Sequence, residues 1–435
     1  MRPEQPEEPA GPGPELLTEA AHRFGTPCYL YDLPRITEQV AQLRTAFPGT
    51  HLQYAVKANA NQAVLRHLAG LGLGAEALTL GELERSLLAG FPPGHILLGG
   101  PGMTPQLALR AMRVGVELVS LDGEGAYEVF EGLASEQVGE GPRFLVRLNP
   151  GFDPHTHEHL ATAAAGSKFG LPHEGAVALA ERVAATERLA GFHVHAGSML
   201  QDPAVAELVV RSLEPLYDRF PELELVDLGG GFAVPQPPLG AFASQYLDFA
   251  KRYGLRPILE PGRFLVADAG VLLTRVLHVK EGARRHVIAD AGMADLLRPA
   301  LYGARHPVRV VGEGGQPRLE TVETGHRPAQ AGSAAQAAVR AGTDVNGPLC
   351  ENADRLAQDV DLGGVRPGDL LAVGRAGAYG MGMASNYASS LRPAEVVWDG
   401  AELRLVRRRE TPEDLWRLEA EAEADPETEP RPGRR

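Results

Sequence analysis

Eight short apolar runs recur between His51 and Ala269, and most are followed by a segment of helical length. The runs begin at His51, Leu73, His95, Val116, Arg143, Leu189, Leu223 and Arg256. Strands that alternate with helices form parallel βαβ units. Eight such units predict an α/β fold in which a closed (β/α)8 TIM-like barrel spans residues 35–269.

The pattern changes after Ala269. Strand-like runs such as "VLLTRVLHVKE" and "DLLAVGRAGAY" follow with few helical stretches. They predict a C-terminal β-rich domain, a β-sandwich or barrel, over 270–418, which residues 15–34 are expected to join. The Pro-rich residues 1–14 and the charged residues 419–435 are expected to form a disordered leader and tail. The Ala/Gly-rich segment 325–342 is predicted to be a surface insertion.

Composition limits the class of protein. With 435 residues, 44% hydrophobic and 23% charged, the chain is long enough for two globular domains. A net charge of −14 argues against a nucleic-acid or anionic-membrane surface. No apolar run approaches the roughly 18 residues that a membrane span needs. Two cysteines, Cys28 and Cys350, form neither a disulfide framework nor a metal motif. We therefore expect a cytoplasmic protein with no nucleic-acid, membrane or metal partner.

One lysine is placed where it requires an explanation. Of the 42 basic residues only four are lysines, and Lys57 ends the strand-like run "HLQYAVKA". In a barrel of this kind the reactive groups lie at the C-terminal ends of the strands. Arginine cannot form a Schiff base, so a lysine here indicates imine chemistry, and partial desolvation is expected to lower its pKa. The structural alternative is a surface lysine whose alkyl chain covers apolar neighbours.

Other strand ends offer groups that complement a phosphorylated pyridine aldehyde. The seventh run ends in three glycines, Gly229, Gly230 and Gly231. They are predicted to open a strand-to-helix turn whose N–H groups hold a phosphate, although a glycine turn alone is a weak signal. Glu260 would keep a ring nitrogen protonated, and His195, with Ser198 nearby, offers a face for stacking. Together with Lys57 these residues predict pyridoxal 5′-phosphate as the cofactor.

Longer motifs carry a family resemblance. The segments "YAVKAN", "HVHAGS", "DLGGGF" and "EPGR" resemble the fold-type III pyridoxal-phosphate-dependent decarboxylases. Two further segments, "GPLCENAD" and "NYASSLRPAEVV", resemble one group of this family, the diaminopimelate decarboxylases. The resemblance implies a small-molecule amino-acid substrate, meso-diaminopimelate, which is decarboxylated at its D centre to lysine, the proton being returned by Cys350 or Lys57. It also implies a homodimer with shared active sites, to which the partner contributes Cys350.

Two arginines and a glutamate bear on the choice of substrate. The planar guanidinium groups of Arg263 and Arg298 suit carboxylates. Glu351, helped by Tyr302 and Tyr379, is expected to bind the amine at the far end of the substrate. Arg263 and Tyr379 are also expected to contact the cofactor.

Several positions depart from the family pattern, namely "ATAAAGSKFG" from Ala161, "GGPGMTP" from Gly99, and Arg375. They leave open a decarboxylase of the same fold that acts on ornithine, arginine, or a carboxylated polyamine or siderophore precursor. An alanine-racemase-like activity is disfavoured, because that family places arginine at the ring nitrogen. A non-catalytic homologue is also disfavoured, since such proteins tend to lose the lysine or the cysteine that this chain retains.

Overall fold

A computed structural model describes residues 12–133, 141–151, 166–312, 317–319 and 342–424. The chain divides into two units. The first contains Leu33–Ala269 and Gly377–Gly382, and the second contains Gly270–Ala376 with the flanking residues 12–32 and 383–424. Apart from Gly342, the predicted surface insertion at 325–342 lies outside the described residues.

The N-terminal helix and strand belong to the second unit: α1 is Pro14–Phe24 and β1 is Cys28–Asp32. Pro14 occupies the first turn of α1, where its missing N–H costs no hydrogen bond. The Pro12 carbonyl accepts a hydrogen bond from Arg309 at 2.9 Å. The disordered leader expected at 1–14 is therefore too long, because ordered contacts begin at Pro12. Residues 1–11 lie outside the described part of the chain.

The first unit is built on eight parallel strands that close into a barrel. They are β2 His51–Ala55, β3 Gly74–Ala77, β4 Ile96–Leu98, β5 Leu118–Leu121, β6 Arg143–Arg147, β7 Leu189–His193, β8 Leu225–Asp227 and β9 Arg256–Leu259. The barrel closes between β2 and β9, where His51 pairs with Ile258 and Leu52 with Leu259. Each predicted run supplies one strand, so the (β/α)8 prediction is confirmed.

Helices alternate with these strands. They are α2 Leu33–Ala46, α3 Gln62–Gly70, α4 Leu80–Ala89, α5 Pro105–Val114, α6 Glu124–Gly132, α7 His173–Ala184, α8 Ala204–Arg219, α9 Leu239–Tyr253 and the short α10 Arg263–Val266. Thr79 and Thr104 cap α4 and α5 by accepting a backbone N–H at 3.2 Å. Gly90 and Gly115 end the same helices in the left-handed conformation, which glycine adopts without strain.

The barrel is filled by apolar side chains from β4, β6, β7, β8 and β9. They are Leu97, Leu145, Ala190, Leu225 and Ile258. Aromatic side chains of β6 and β7 pack against the helices instead, and Phe144, which directly precedes Leu145, does so because side chains alternate along a strand. Phe144 meets Tyr127 of α6 edge-on at 5.4 Å between ring centres, and Phe192 meets Tyr217 of α8 at 5.7 Å. Burying each such ring contributes roughly 1.5–3 kcal/mol, so these contacts hold β6 and β7 against α6 and α8.

The second unit is a mixed β-sheet. Its further elements are β10 Gly270–Lys280, β11 Arg285–Ala289, α11 Arg298–Tyr302, β12 Val308–Val311, β13 Pro317–Leu319, β14 Thr343–Asn346, β15 Arg355–Val360, β16 Leu370–Val373, β17 Ala394–Trp398 and β18 Leu403–Arg407. The main path runs β13-β12-β16-β10-β1-β17-β18. The far end of β10 leaves this path to pair with β11, which continues to β14 and β15. The predicted β-rich second domain is confirmed.

The last described element is helix α12, Pro412–Ala424. Thr411 donates its N–H to Asp414 at 2.8 Å at the start of the helix, and Arg417 pairs with Glu421 one turn later. The disordered tail expected from residue 419 is therefore wrong for 419–424, because its Glu/Ala-rich sequence continues a capped helix. Among the described helices, none has both the length and the apolar character needed to cross a membrane.

Candidate active site

Charged and imidazole side chains gather where the barrel strands end. The C-terminal ends of parallel strands meet at one rim, and every strand except β4 places such a group there. In chain order they are Lys57, Glu76, Asp122, Arg147, His193, His195, Asp227 and Glu260. Most of these side chains are buried. Their charges must therefore be balanced by one another rather than by water.

Lys57 lies in a single 3₁₀ turn directly after β2. Its Nζ donates to Oε2 of Glu76 on the neighbouring strand β3 at 3.1 Å. The lysine side chain is 36% exposed, whereas that of Glu76 is 4% exposed. The turn thus presents the amine to the rim, while its counter-charge is held by a buried strand.

The acidic surroundings of Lys57 overturn one expectation from the sequence. Burial by itself lowers the pKa of the ammonium group. The negative charge of Glu76, with smaller contributions from Tyr379 and Glu260, outweighs burial and raises that pKa above its usual value. The predicted lowered pKa is wrong, because the fold brings a carboxylate 19 residues further along the chain into contact with the amine.

Two buried carboxyl groups lie at the ends of β8 and β9, Asp227 and Glu260. Burial raises the pKa of Asp227 to about 7. Burial, followed by the charge of Asp227, raises the pKa of Glu260 well above its usual value. Two neighbouring buried carboxyl groups do not both ionise readily, so the pair retains a proton near neutral pH. A carboxyl group with a raised pKa can share its proton with a basic ring nitrogen and leave a carboxylate as the counter-charge of the protonated ring.

Two histidines face the Glu260 carboxylate. Its Oε2 lies 3.7 Å from Nε2 of His193 and 3.9 Å from Nδ1 of His195. His195 Nδ1 also accepts the Gly230 N–H at 3.2 Å. Burial and nearby positive charge lower the pKa of both imidazoles well below the usual value. Both rings are therefore neutral near pH 7, and the half-buried ring of His195 offers an uncharged flat face.

A buried ion pair, absent from the sequence prediction, occupies the ends of β5 and β6. Arg147 Nη1 donates to Oδ1 of Asp122 at 2.7 Å, and the Arg147 guanidinium lies 4.9 Å from the ring centre of Phe169. Asp122 Oδ2 accepts the Gly170 N–H at 3.3 Å. The signal was available, because Asp122 and Arg147 end strand-like runs just as Lys57 does. The same rule applied to the fourth and fifth runs would have found both.

The three glycines after β8 form a turn that no larger residue fits. A Cβ on Gly230 would lie 2.2 Å from the Glu260 carbonyl oxygen, and one on Gly231 would lie 2.0 Å from that of Gly197. Gly229 and Gly231 also have φ angles of +65° and +88°, which favour glycine. The backbone itself therefore forms this part of the rim.

The sequence predicted that the glycine turn opens a helix, and this prediction is wrong. Helix α9 begins only at Leu239, after a stretch containing Pro235, Pro237 and Pro238, which lack the N–H groups that a helix needs. Within the turn, the Gly229 N–H donates to Asp227 and the Gly230 N–H to His195. A phosphate at this turn would be held by loop backbone and not by a helix N-terminus.

Three further predicted residues lie around the same rim. Arg263 begins α10, and its guanidinium lies 4.7 Å from the ring centre of Tyr379. The Tyr379 N–H donates at 2.7 Å to a carbonyl of the turn that carries Lys57. Ser198 lies in the loop after β7, and a backbone hydrogen bond of 2.9 Å joins this loop to the glycine turn. The first unit therefore brings together all the residues predicted to bind the cofactor.

The remaining predicted residues stand in the second unit. Arg298 begins α11, is buried, and lies with its guanidinium 5.4 Å from the ring centre of Tyr302. Cys350 is exposed. Glu351 accepts a hydrogen bond from the Tyr387 hydroxyl at 2.5 Å. Sequence reasoning missed Tyr387, although it stands in the quoted motif "NYASSLRPAEVV", and this hydrogen bond raises its pKa.

The first unit's rim fits pyridoxal phosphate. It offers a lysine amine to an aldehyde, a carboxyl group with a raised pKa to a pyridine nitrogen, and a neutral imidazole to the face of a ring. A Cβ on any of the three glycines would meet one of the protein's own backbone oxygens, so glycine at these positions lets the turn pack closely against His195 and Glu260.

Comparisons with known proteins agree with this geometry. Residues 33–267 match the pyridoxal-binding domain of the pyridoxal-dependent decarboxylases. The chain is 38% identical over 404 residues to the diaminopimelate decarboxylase of Deinococcus radiodurans, covering 93% of this chain and 98% of that one. It is also 38% identical to that of Pseudomonas aeruginosa, covering 92% and 94%. The crystal structure of the Helicobacter pylori enzyme with L-lysine matches with a TM-score of 0.82 at 32% identity, covering 93% and 99%.

The barrel and its lysine-bearing rim define an enzyme class, that of barrel-type pyridoxal-phosphate enzymes. The chain belongs to the pyridoxal-dependent decarboxylase family, on the branch of its diaminopimelate decarboxylase relatives. The family resemblance and the cofactor predicted from the strand-end residues are thereby confirmed.

Proposed function

We propose that this chain converts meso-2,6-diaminopimelate to L-lysine and carbon dioxide, the last step of lysine biosynthesis. The observation that carries the proposal is the match along more than nine-tenths of both chains to relatives named diaminopimelate decarboxylase. The rim supports it, because Lys57, Glu260 and His195 have the chemistry that a pyridoxal-dependent decarboxylation needs.

Bound pyridoxal phosphate supplies an electron sink for the electron pair that the departing carboxylate leaves behind. Lys57 is the residue to which its aldehyde would attach, and Glu260 would hold the proton of the ring nitrogen. His195 would stack on the ring. The phosphate would be bound by Gly229, Gly230 and Gly231, and Ser198, Arg263 and Tyr379 would make further contacts with the cofactor. Asp227 and Glu76 would act indirectly. Asp227 would help Glu260 to keep its proton, and Glu76 would keep Lys57 positively charged.

Substrate recognition is assigned to charges that match both ends of diaminopimelate. Arg263 and Arg298 would each bind a carboxylate through a planar, two-pronged guanidinium. Glu351 would bind the distal amine, helped by Tyr302 and Tyr379. Tyr387 would orient Glu351, since it donates to that carboxylate at 2.5 Å. Cys350 or Lys57 would return a proton to the α-carbon.

The active form is proposed to be a cytoplasmic homodimer with shared sites, in which Cys350 of one chain serves the barrel of the other. This assignment rests on the family resemblance and on the exposure of Cys350, which leaves its thiol accessible. The test for shared sites is the mixing of two inactive variants described in the Discussion.

The proposed substrate is tested by carbon dioxide release from meso-diaminopimelate, ornithine and arginine, measured side by side with the purified holoenzyme. Release from meso-diaminopimelate well above that from the other two is expected, because only diaminopimelate carries a second carboxylate for Arg298. Lys57→Ala serves as the inactive control. Preferential release from ornithine or arginine would overturn the proposal.

A further inference from the structure

The loop 347–354 carries Cys350 and Glu351, and its last residue binds the backbone on both sides of the cysteine. Oδ2 of Asp354 accepts the Leu349 N–H at 2.6 Å. The Asp354 N–H donates to the Glu351 carbonyl at 3.0 Å. The residues immediately before and after Cys350 are thus bonded to one aspartate. Because the Cys350 side chain is exposed, the place of its thiol depends on the backbone that carries it.

The same carboxylate reaches a second segment of the chain. Oδ1 of Asp354 accepts the Met293 N–H at 2.6 Å. Met293 lies shortly before Arg298, the first residue of α11. A single side chain therefore joins the loop of Cys350 and Glu351 to the segment that leads to Arg298.

Two glycines make room for this carboxylate. Asp354 is 2% exposed. A Cβ on Gly292 would lie 2.2 Å from its Oδ1, and one on Gly347 would lie 2.4 Å from its Oδ2. Each oxygen of a buried carboxylate that accepts a backbone N–H makes a charge-assisted hydrogen bond, which is stronger than a neutral one. Asp354 is therefore closely packed, and both of its carboxylate oxygens are bonded to the backbone.

The geometry points to Asp354 as a positioning residue that sets the place of Cys350 and Glu351 relative to Arg298. The inference rests on the proposed function for the roles of those three residues. Asp354 itself touches neither substrate nor cofactor in this assignment. It acts on the reaction through the backbone of the loop.

Asp354→Asn changes the hydrogen bonds of this side chain without changing its size, so it tests the positioning role directly. An asparagine has the same shape, but only one of its two terminal atoms can accept a hydrogen bond. Whichever way the amide turns, its NH₂ group opposes either the Leu349 N–H or the Met293 N–H. The loop must then move away from one of its two anchors. Leaving such a buried donor unpaired is expected to lower kcat/KM for meso-diaminopimelate by about 10- to 100-fold.

A matched control is available in the same unit. Asp399 also accepts two backbone N–H groups through its carboxylate, from Ala401 and Glu402 at 3.0 Å each, in the turn between β17 and β18. Both bonds are to Oδ1, which an asparagine retains, so Asp399→Asn makes the same Asp→Asn change in a turn aspartate without removing a backbone hydrogen bond and away from the cysteine loop. Both variants are prepared as holoenzyme, and cofactor absorbance and the thermal midpoint are recorded for each.

The decisive readout is the alkylation rate of Cys350 by iodoacetamide, which needs no substrate. The chain has one other cysteine, Cys28, and it is fully buried, so the reagent reports on Cys350. Asp354→Asn should raise the rate severalfold and lower kcat/KM while the cofactor absorbance is unchanged. Asp399→Asn should leave all three as in the unaltered chain. If Asp354→Asn lowers only the thermal midpoint, with the alkylation rate and kcat/KM unchanged, the inference is overturned.

Two further measurements keep the test decisive if Asp354→Asn fails to fold. Gly292→Ala should displace the carboxylate without removing its charge and should reproduce the faster alkylation. In the unaltered holoenzyme, hydrogen exchange followed by mass spectrometry should show the Leu349 amide exchanging slowly, although it lies in a partly exposed loop. Fast exchange there would show that the hydrogen bond from Leu349 to Asp354 is not maintained, and it would refute the inference. Failure of the unaltered enzyme to act on meso-diaminopimelate would overturn the proposed function alone, because alkylation and exchange test Asp354 independently.

Discussion

Replacement of Glu76 by glutamine should change how readily the cofactor attaches to Lys57. Attachment requires the neutral amine, and the carboxylate 3.1 Å away holds the amine as an ammonium ion. Glu76→Gln keeps the shape of the side chain and removes its charge. The pKa of Lys57 should therefore fall towards or below its usual value, because burial then acts against a weaker attraction.

The magnitude follows from the distance and the exposure. For unit charges 3.1 Å apart, Coulomb's law gives about 5 kcal/mol at an effective dielectric constant of 20 and about 1 kcal/mol in bulk water. The lysine side chain is 36% exposed, so solvent screening places the value in the lower half of that range, roughly 1.5–3 kcal/mol. This corresponds to a fall of about one to two pKa units.

The assay is reconstitution of the cofactor-free protein. Pyridoxal phosphate is added between about pH 6 and 10, and the growth of the visible band of lysine-bound cofactor is followed. Borohydride reduction and peptide mass spectrometry then verify that the bond is at Lys57. The profile of attachment rate against pH should lie about one to two units lower for Glu76→Gln, so the variant should reconstitute faster near neutral pH.

The control is Glu84→Gln, which removes a glutamate paired with Arg110 at 2.5 Å, where both side chains are more than 40% exposed. Its profile should superimpose on that of the unaltered protein. If the Glu76→Gln profile also superimposed while the protein remained folded, Glu76 would not govern the charge of Lys57, and the reasoning would be refuted.

Three other outcomes are expected. Glu260→Gln should keep the cofactor bound but slow carbon dioxide release by about 100-fold or more, because the ring nitrogen loses its charged partner; an unaltered turnover number would exclude this role. Mixing inactive Lys57→Ala and Cys350→Ala proteins should restore up to about a quarter of the sites; no recovery after verified subunit exchange would mean that Cys350 acts within its own chain. Arg298→Ala should lower kcat/KM for meso-diaminopimelate by about 10- to 100-fold with an unchanged cofactor band; a lower thermal midpoint alone would make Arg298 part of the scaffold.

The barrel was predictable because its signal is local. Each strand is a short apolar run bounded by polar or glycine-containing segments, and each helix carries its own start and stop residues, such as Thr79 and Gly90 at the two ends of α4. Residues within a few positions of one another determine these features, so they can be read without knowing what packs against them. The family motifs are local in the same sense, and they pointed to the cofactor and to Lys57.

Element ends were less predictable where they depend on the surrounding chain. The helix expected after the glycine turn is delayed to Leu239 by three prolines, and the tail expected to be disordered continues α12 to Ala424. The N-terminal strand belongs to the second unit because of the strands with which it pairs. Strand β1 lies between β10 and β17 in the second unit, and neither neighbour is close to it in sequence.

By itself the sequence determined the order of the elements, the position of Lys57 at the end of a strand and the family. Only the tertiary structure decided the charge state of the site. Glu76 raises the pKa of Lys57 and Asp227 raises that of Glu260, because separate strands bring these carboxyl groups together in a poorly solvated rim. Electrostatic interactions depend on distance and on the surrounding medium, and neither is a property of a residue's neighbours along the chain.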